Sequence, residues 1–182
     1  QSNSYAHPRG TCVSCVRYGN VLGSRGSVVH VWRDQLRRGK ALTITDHAMT
    51  RFILTLPQAA TFCLAAIEDM EGGEIFVPRL PAVKLDALAI AIGKDAGVNG
   101  VPTVTTGLRP GGEKIHEDLL SREEPARTWW DGTRMVILPS HHSWREKWDV
   151  PTWQCVERSY SSDAPDRWLS IEDLVEMLKE VP

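Results

Sequence analysis

The sequence predicts an α/β fold, because short β-branched runs alternate with segments whose apolar residues recur at helical spacing. Residues 11–16 and 74–77 are runs of the first kind, and residues 59–67 carry a helical stripe. The 182 residues, 42% hydrophobic and 24% charged, suffice for one domain with a core or for part of a larger one.

The first predicted strand ends in a glycine-rich turn, residues 17–28, with the sequence RYGNVLGSRGSV. Ser27 is placed to cap a helix whose apolar stripe runs to Leu36 and which closes in basic residues before Gly39. Residues 42–45 then form a short strand.

Thr55 and Gln58 have the spacing of a capping box, which predicts the start of the helix over residues 59–67. Beyond the strand at 74–77, the same reasoning predicts a helix, a strand, a short helix and an aromatic strand segment, at residues 85–92, 101–106, 113–120 and 127–139. Ser170 caps a last helix with an apolar stripe that reaches Val181.

Positive charge gathers in the first third of the chain. Residues 1–60 hold eight Lys or Arg against two acids, and the remainder holds thirteen against twenty-one. These cations are spread among Gly, Ser and Thr without a series of aromatic residues beside them, so we do not expect a nucleic-acid partner. A small phosphorylated ligand fits this composition better, and the turn at 17–28 suits its phosphate; the alternative is a solvated surface loop.

Other signals bound the class of protein. No apolar run approaches the length of a membrane helix and no signal-peptide layout is seen, so we expect no membrane segment and a cytoplasmic location. Residues 1–10 are expected to be a tag remnant or a disordered lead. Cys12 and Cys15 lack a second pair at zinc spacing and are interpreted as buried small residues. Five tryptophans in residues 129–153 indicate packing or an oligomer interface, with carbohydrate stacking as the alternative.

Six stretches carry a family resemblance when they are taken in order. After RYGNVLGSRGSV come LTITD, MTRF, GEIFV, GLRPGGEKIHE and finally YSSD with WLSIEDL, at residues 42–46, 49–52, 73–77, 107–117, 160–163 and 168–174. Together they resemble the nucleotide-sugar dehydratases of polysaccharide biosynthesis, typified by the inverting UDP-N-acetylglucosamine 4,6-dehydratases of the extended short-chain dehydrogenase/reductase superfamily. The likeness runs from about Thr11 to Glu180.

The resemblance implies roles for ten residues. Tyr18 would lie beside the nicotinamide of NAD(P), and Asn20 would bond the diphosphate of a UDP-sugar. Arg51 and Arg109 would clamp that diphosphate from two sides. Ser27 and Val28 would contact the substrate at the start of their helix. Thr43 and Thr45 would border the nucleobase pocket. Glu113 and Glu117 would hold the arginine loop or the ribose.

Two departures from the family pattern matter. The pair Gly111 and Gly112 inserts one residue before Glu113. The chain also has no G-x-x-G-x-x-G turn and no tyrosine with a lysine four positions later, so it resembles the C-terminal half of such an enzyme and is assigned no catalytic residue. We therefore expect NAD(P) in the full-length protein but no tight binding to this chain alone. We also expect either a homo-oligomer or a missing N-terminal half as partner.

The predicted organisation has two parts. Residues 11–28 and 55–80 are assigned to the edge of a Rossmann-type parallel sheet, and residues 29–54 and 81–182 to a substrate-binding domain and C-terminal region. The predicted function is the sugar-nucleotide-binding portion of an NAD(P)-dependent UDP-sugar 4,6-dehydratase. The alternatives are a 4-epimerase of the same fold and a non-catalytic binding or oligomerisation module, so whether this chain alone is an enzyme stays open.

Overall fold

The computed structural model describes residues 12–108, 111, 113–140 and 152–181, and the expected lead at residues 1–10 lies outside them. The described residues form two compact units. The first unit contains residues 12–18, 59–79 and, from the later part of the chain, 118–140 with 152–161. The second contains residues 19–58, 80–117 and 162–181 without the undescribed positions.

The helices and strands are as follows. The described helices are α1 (Val28–Arg37), α2 (Leu56–Asp69), α3 (Leu85–Asp95) and α4 (Ile171–Lys179), with a 3-10 turn at Pro125–Arg127. The described strands are β1 (Cys15–Val16), β2 (Asn20–Val21), β3 (Leu42–Ile44), β4 (Thr50–Leu54), β5 (Ile75–Pro78), β6 (Ala82–Lys84), β7 (Thr103–Thr105), β8 (Asp118–Leu120), β9 (Thr128–Trp130), β10 (Arg134–Ile137), β11 (Gln154–Cys155) and β12 (Tyr160–Ser161). Strands and helices alternate, so the predicted α/β class is confirmed.

The first unit is built on a five-stranded sheet in the order β1-β5-β10-β9-β11. β1 and β5 pair in parallel, with Cys15 opposite Ile75, and the remaining pairs are antiparallel. Phe76 on β5 and Val136 on β10 are opposite each other, and both are fully buried. Phe76 and Val136 form an apolar cluster with Ala66 and Leu138, and Trp129 and Trp153 pack against it. For these two tryptophans, this supports the interpretation of the segment as a packing element.

The second unit has a three-stranded sheet, β2-β4-β6, and a parallel pair, β3 with β7. Helices α1, α3 and α4 supply apolar side chains to one core that includes Trp32, Met49 and Leu88, all at most 1% exposed. This core also includes side chains of β3 and β4, two strands that carry residues of the candidate site.

Capping chemistry predicted two helix starts correctly. Ser170 Oγ accepts a hydrogen bond from Asp173 N at 3.0 Å, and the Asp173 carboxylate accepts one from Ser170 N at 3.0 Å. Gln58 Oε1 likewise accepts from Thr55 N at 2.8 Å before α2. The local sequence is therefore sufficient to place these helices.

Three local predictions were wrong. Residues 113–120 form no helix: Thr50 N donates to Ile115 O, Glu117 N donates to Ser162 Oγ, and residues 118–120 form β8. These long-range partners replace the intrahelical bonds that the propensity of the segment favours. Residues 127–139 do not form one strand but a hairpin of β9 and β10, because Asp131 Oδ1 accepts N–H groups of the turn before β10. Cys12 is exposed and Cys15 is partly exposed, although both were predicted to be buried.

The division of the chain differs from the predicted grouping. Residues 118–140 and 152–161 belong with residues 59–79, because β10 pairs with β5 along its whole length. The predicted grouping had placed them with the substrate-binding residues. The assignments of the two parts to a Rossmann edge and a substrate-binding domain remain predictions.

The described residues contain neither a membrane-spanning helix nor a metal-binding cluster. None of their helices combines the length and apolarity needed to cross a membrane. They also contain no group of three or more His, Cys, Asp or Glu side chains arranged to hold a metal ion.

Candidate functional site

The second unit contains a cavity of about 610 Å³. This volume lies within the roughly 300–1,000 Å³ that small-molecule sites occupy. Its wall combines the turn after β2, the first turns of α1, the end of β3 and parts of β4 and α3. Seven of the predicted site residues line it: Asn20, Ser27, Val28, Thr43, Thr45, Arg51 and Glu113.

The glycines of the turn permit close packing of the chain. A Cβ on Gly19 would lie 2.4 Å from the carbonyl oxygen of Phe52, and one on Gly23 would lie 2.3 Å from Val181 Cγ1. Gly23 and Gly26 also have φ of +73° and +74°, the left-handed region that glycine tolerates. The turn therefore needs glycine at position 19 for the close approach to β4, and at positions 23 and 26 for the left-handed backbone.

Ser27 occupies the N-cap position of α1, with φ −69° and ψ 164°. Its side chain makes no capping hydrogen bond, and its hydroxyl oxygen is buried without a partner in the described structure. The first amide groups of a helix also lack intrahelical partners and carry the positive end of the helix dipole. An unpaired hydroxyl and these amides at a cavity wall favour an anionic ligand such as a phosphate.

Arg25 is a charged residue of the cavity wall that was not among the predicted site residues. It is exposed and lines the same cavity as Ser27. The signal that could have found it is a guanidinium two residues before the N-cap of a helix, within a glycine-rich turn. Arg17, the other arginine of the stretch, instead donates to both carboxylate oxygens of Glu124, at 2.8 and 2.9 Å, within the first unit.

Thr43 on β3 is held from α1 by two side chains. Trp32 Nε1 donates to Thr43 O at 2.8 Å. The Gln35 side chain accepts from Thr43 N at 3.1 Å and donates to Thr43 Oγ1 at 3.0 Å. Because Trp32 is 1% exposed, this part of the cavity wall is fixed by the core and not by loop geometry.

Arg51 on β4 uses its guanidinium mainly to bind backbone carbonyls. It donates to Thr50 O at 2.7 Å and to Lys114 O and Ile115 O, each at 2.9 Å. Its Nε also lies 3.4 Å from a carboxylate oxygen of Glu117. Arg51 therefore anchors residues 114–117 beside the cavity that it lines.

Glu117 joins Arg51 to Asn20. The amide of Asn20 is assigned with its nitrogen towards Glu117, because only this orientation pairs a donor with the carboxylate. Nδ2 then donates to both carboxylate oxygens of Glu117, at 3.0 and 3.1 Å. Burial raises the pKa of Glu117, and the nearby charge of Arg51 and a backbone hydrogen bond from Phe52 offset that effect only in part. Glu117 therefore links two residues that line the cavity, Asn20 and Arg51, and these three residues together are called the polar wall.

A family model described as polysaccharide biosynthesis protein matches residues 1–138 of the chain. The chain belongs to this family. Two Campylobacter jejuni proteins named UDP-N-acetylglucosamine 4,6-dehydratase (inverting) are each 34% identical to it, over 97% of this chain and 54% of their own length. A Rickettsia conorii protein named UDP-glucose 4-epimerase is 42% identical over 65% of this chain and 34% of its own.

A solved structure also resembles this member of the polysaccharide biosynthesis family. Pen from Bacillus thuringiensis superposes with a TM-score of 0.79 and 29% identity, over 93% of this chain and 50% of that chain. The family member described here spans about half the length of the curated relatives from Campylobacter jejuni that it matches.

Three predicted site residues of this family member do not line the cavity or are not described. Glu117 belongs to the second unit and acts on two cavity residues, as shown above. Tyr18 is half-buried in the first unit, and Arg109 lies outside the described residues. Roles for Tyr18 and Arg109 therefore remain predictions.

Proposed function

We propose that the cavity of the second unit binds the nucleotide diphosphate of a UDP-sugar. The observation that carries this proposal is the unpartnered hydroxyl of Ser27, which is buried at the N-terminus of α1 in a residue that lines the cavity. A phosphate oxygen would accept from that hydroxyl and from the first amides of α1. The guanidinium of Arg25 would supply charge on the same side.

The two predicted clamp arginines contribute in different ways under this proposal. Arg51 supplies positive charge to the cavity, but a direct bond to phosphate would have to replace one of its carbonyl partners. Arg109 follows β7 by four residues in the sequence and would be the second clamp residue. Arg25 would be the third cation of the site, and like Arg51 it lines the cavity.

The remaining cavity residues would recognise the rest of the ligand. Thr43 and Thr45 would border the nucleobase, and Val28 would contact the substrate from α1. Asn20 would contact the diphosphate, while Glu113 and Glu117 would hold the ribose or the arginine loop. Support comes from the shared cavity wall and from the chain of contacts from Asn20 through Glu117 to Arg51.

For the whole protein we propose an NAD(P)-dependent nucleotide-sugar 4,6-dehydratase acting on UDP-N-acetylglucosamine or a similar UDP-sugar in polysaccharide biosynthesis. The names of the Campylobacter relatives support this reading. When bound, NAD(P) would supply hydride transfer: the sugar would be oxidised at C4, lose water across C5 and C6, and regain the hydride at C6 with a proton at C5. Tyr18 is the residue of this sequence that is predicted to lie beside the nicotinamide. Because the sequence lacks the dinucleotide-binding turn and the Tyr-x-x-x-Lys pair, no catalytic step is assigned to its residues.

The second candidate is a UDP-sugar 4-epimerase, favoured by the 42% identity to the Rickettsia protein over 65% of this chain. The two enzymes would differ in the carbon that receives the returned hydride, so product analysis of the full-length protein separates them. A cytoplasmic location, and a homo-oligomer or an N-terminal half as partner, belong to the same proposal.

The cavity proposal is tested by calorimetric titration of the purified chain with UDP, UMP and uridine. We expect UDP to bind more tightly than UMP, and uridine most weakly, because each phosphate adds charge-assisted hydrogen bonds. Equal affinity for uridine and UDP would contradict a diphosphate site.

NAD(P) should not bind tightly to this chain alone. The mass of the native gene product would separate a full-length enzyme from a stand-alone binding module.

A further inference from the structure

We propose that Ser162 is a positioning residue for the polar wall of the cavity: it fixes Glu117, and through Glu117 the amide of Asn20. The inference rests on the proposed UDP-sugar site for its effect on binding. The positioning itself rests only on contacts within the second unit. Ser162 was part of the YSSD stretch in the sequence, but no role was assigned to it.

Ser162 holds the backbone of Glu117 through both of its polar groups. Its hydroxyl oxygen accepts from Glu117 N at 2.8 Å, and Ser162 N donates to Glu117 O at 2.8 Å. Ser162 is 0% exposed, so water cannot replace either bond. Glu117 is therefore tied at both its N–H and its C=O to one serine.

The serine is itself fixed to β4. Its hydroxyl lies 3.1 Å from Thr50 O and 2.7 Å from Thr50 Oγ1, and it can donate to either atom. Thr50 Oγ1 is also 2.8 Å from His116 Nδ1. Thr50 is 4% exposed, so the bonds between Ser162 and Thr50 are enclosed, and every member of the network has a defined partner.

The carboxylate of Glu117 transmits this position to the cavity. It accepts from Asn20 Nδ2 at 3.0 and 3.1 Å and lies 3.4 Å from Arg51 Nε. Both partners line the cavity, whereas Ser162 does not. Loss of the Ser162 hydroxyl leaves Glu117 N–H buried without its acceptor and frees the carboxylate to move away from Asn20.

The experiment compares Ser162→Ala with Ser161→Ala, the same substitution one residue earlier and outside this network. Calorimetry with UDP should show affinity lowered by about tenfold for Ser162→Ala and unchanged for Ser161→Ala. Circular dichroism confirms that both variants are folded. Unchanged UDP affinity of a folded Ser162→Ala variant would overturn the inference.

A double variant separates positioning from general destabilisation. If Ser162 acts through Glu117, adding Ser162→Ala to Glu117→Gln should cause little further loss of UDP affinity. Losses that add fully on the logarithmic scale would instead show that Ser162 acts independently of Glu117, and would overturn the proposal.

A ligand-free readout distinguishes failure of this inference from failure of the proposed function. The side-chain amide resonances of Asn20 should shift and exchange faster in Ser162→Ala than in the unmodified chain or in Ser161→Ala. If the unmodified chain does not bind UDP, the proposed function fails, and the Asn20 signals alone decide the positioning role. Identical Asn20 signals in all three proteins would refute it.

Discussion

The side-chain amide of Asn20 donates to both carboxylate oxygens of Glu117, although the two residues lie far apart in the sequence. Asn20 lies within the glycine-rich stretch, and Glu117 closes the segment that Arg51 anchors. The contact therefore couples two motifs that the sequence presents as separate. Substitutions that change only the charge at Asn20 or Glu117 can therefore test the electrostatic interactions beside the cavity.

Asn20→Asp should destabilise the second unit near neutral pH, because it places a second carboxylate against Glu117. We expect the free energy of unfolding to fall by roughly 1–2 kcal/mol, limited by the solvent exposure of position 20. The loss should shrink on acidification, since the two carboxylates can then share a proton. Urea denaturation at neutral and acidic pH measures it, with Asn20→Ala as the control that removes only the hydrogen bond. A loss independent of pH would contradict the contact.

Glu117→Gln should change how stability depends on pH. The pKa of Glu117 is raised in the folded chain from an ordinary value of 4.5, so the folded state holds this proton more tightly than the unfolded state. That stabilisation is complete below the unfolded pKa and is lost as pH rises through the folded pKa. The unmodified chain should therefore lose stability relative to Glu117→Gln as pH rises from about 4.5 towards neutrality. Thermal melts of both proteins across this range test it, and parallel curves would disprove the raised pKa.

Glu124 in the first unit should show the opposite behaviour. Partial burial alone would raise the pKa of Glu124, but hydrogen bonds from Arg17 and Ser121 outweigh burial and lower it from 4.5 to about 2. The stabilisation is present above the unfolded pKa and is lost as pH falls through the folded pKa. Glu124→Gln should thus cost roughly 1–2 kcal/mol near neutral pH, and the difference should vanish towards about pH 2.

The neighbouring Glu123 supplies the matched control for that measurement. Glu123 is exposed, so Glu123→Gln should leave the melting temperature nearly unchanged across the same pH range. If Glu123→Gln and Glu124→Gln behaved alike, the double hydrogen bond from Arg17 would contribute nothing to folding.

Gly19→Ala should be far more damaging than Gly26→Ala. The added methyl at Gly19 would lie 2.4 Å from Phe52 O and 2.5 Å from Phe52 Cβ, so β2 would have to move off β4. Gly26 has open space around its Cβ position, and only its φ of +74° resists alanine, at about 1–2 kcal/mol. Denaturant melts should show a loss of roughly 3 kcal/mol or more for Gly19→Ala. Similar losses for the two variants would rule out the close approach of β2 to β4.

The helices could be predicted from the sequence because their signals are local. Ser170 and Thr55 each begin a capping box that is complete within four residues, and the stripe of α1 ends at its basic turn before Gly39. Residues 113–120 show the limit of this reasoning. Their backbone groups bind Thr50 and Ser162, and nothing within the segment itself indicates those partners.

The candidate site divides in the same way. The composition of the turn indicated a ligand site, and residues of the turn line the cavity, whereas the binding of an anion there stays a prediction. The family resemblance implied a phosphate contact for Arg51, and in the structure its donors contact carbonyls and Glu117. A guanidinium can serve either type of oxygen, so residue type alone does not choose between them. The missing information is which backbone segment folds back onto β4.

Alanine substitutions at Arg25, at Arg51 and at the predicted clamp residue Arg109 test the cationic side of the cavity, and Arg37→Ala is their control. Arg25→Ala should weaken UDP binding by roughly 1–2 kcal/mol, because its exposed guanidinium is partly screened. Arg51→Ala and Arg109→Ala should each cost roughly 2–4 kcal/mol, and Arg51→Lys should rescue poorly because an ammonium cannot bind several carbonyls as a planar fork does.

Arg37→Ala is the control for these substitutions, because Arg37 is exposed at the end of α1 and does not line the cavity of about 610 Å³. It should change the affinity for UDP by less than about 0.5 kcal/mol. Raising the salt concentration should reduce the effect of Arg25→Ala more than that of Arg51→Ala, since exposed charges are screened more strongly than half-buried ones. If all four variants bound UDP as the unmodified chain does, the basic first third of the sequence would be an ordinary solvated face and the diphosphate site would be refuted.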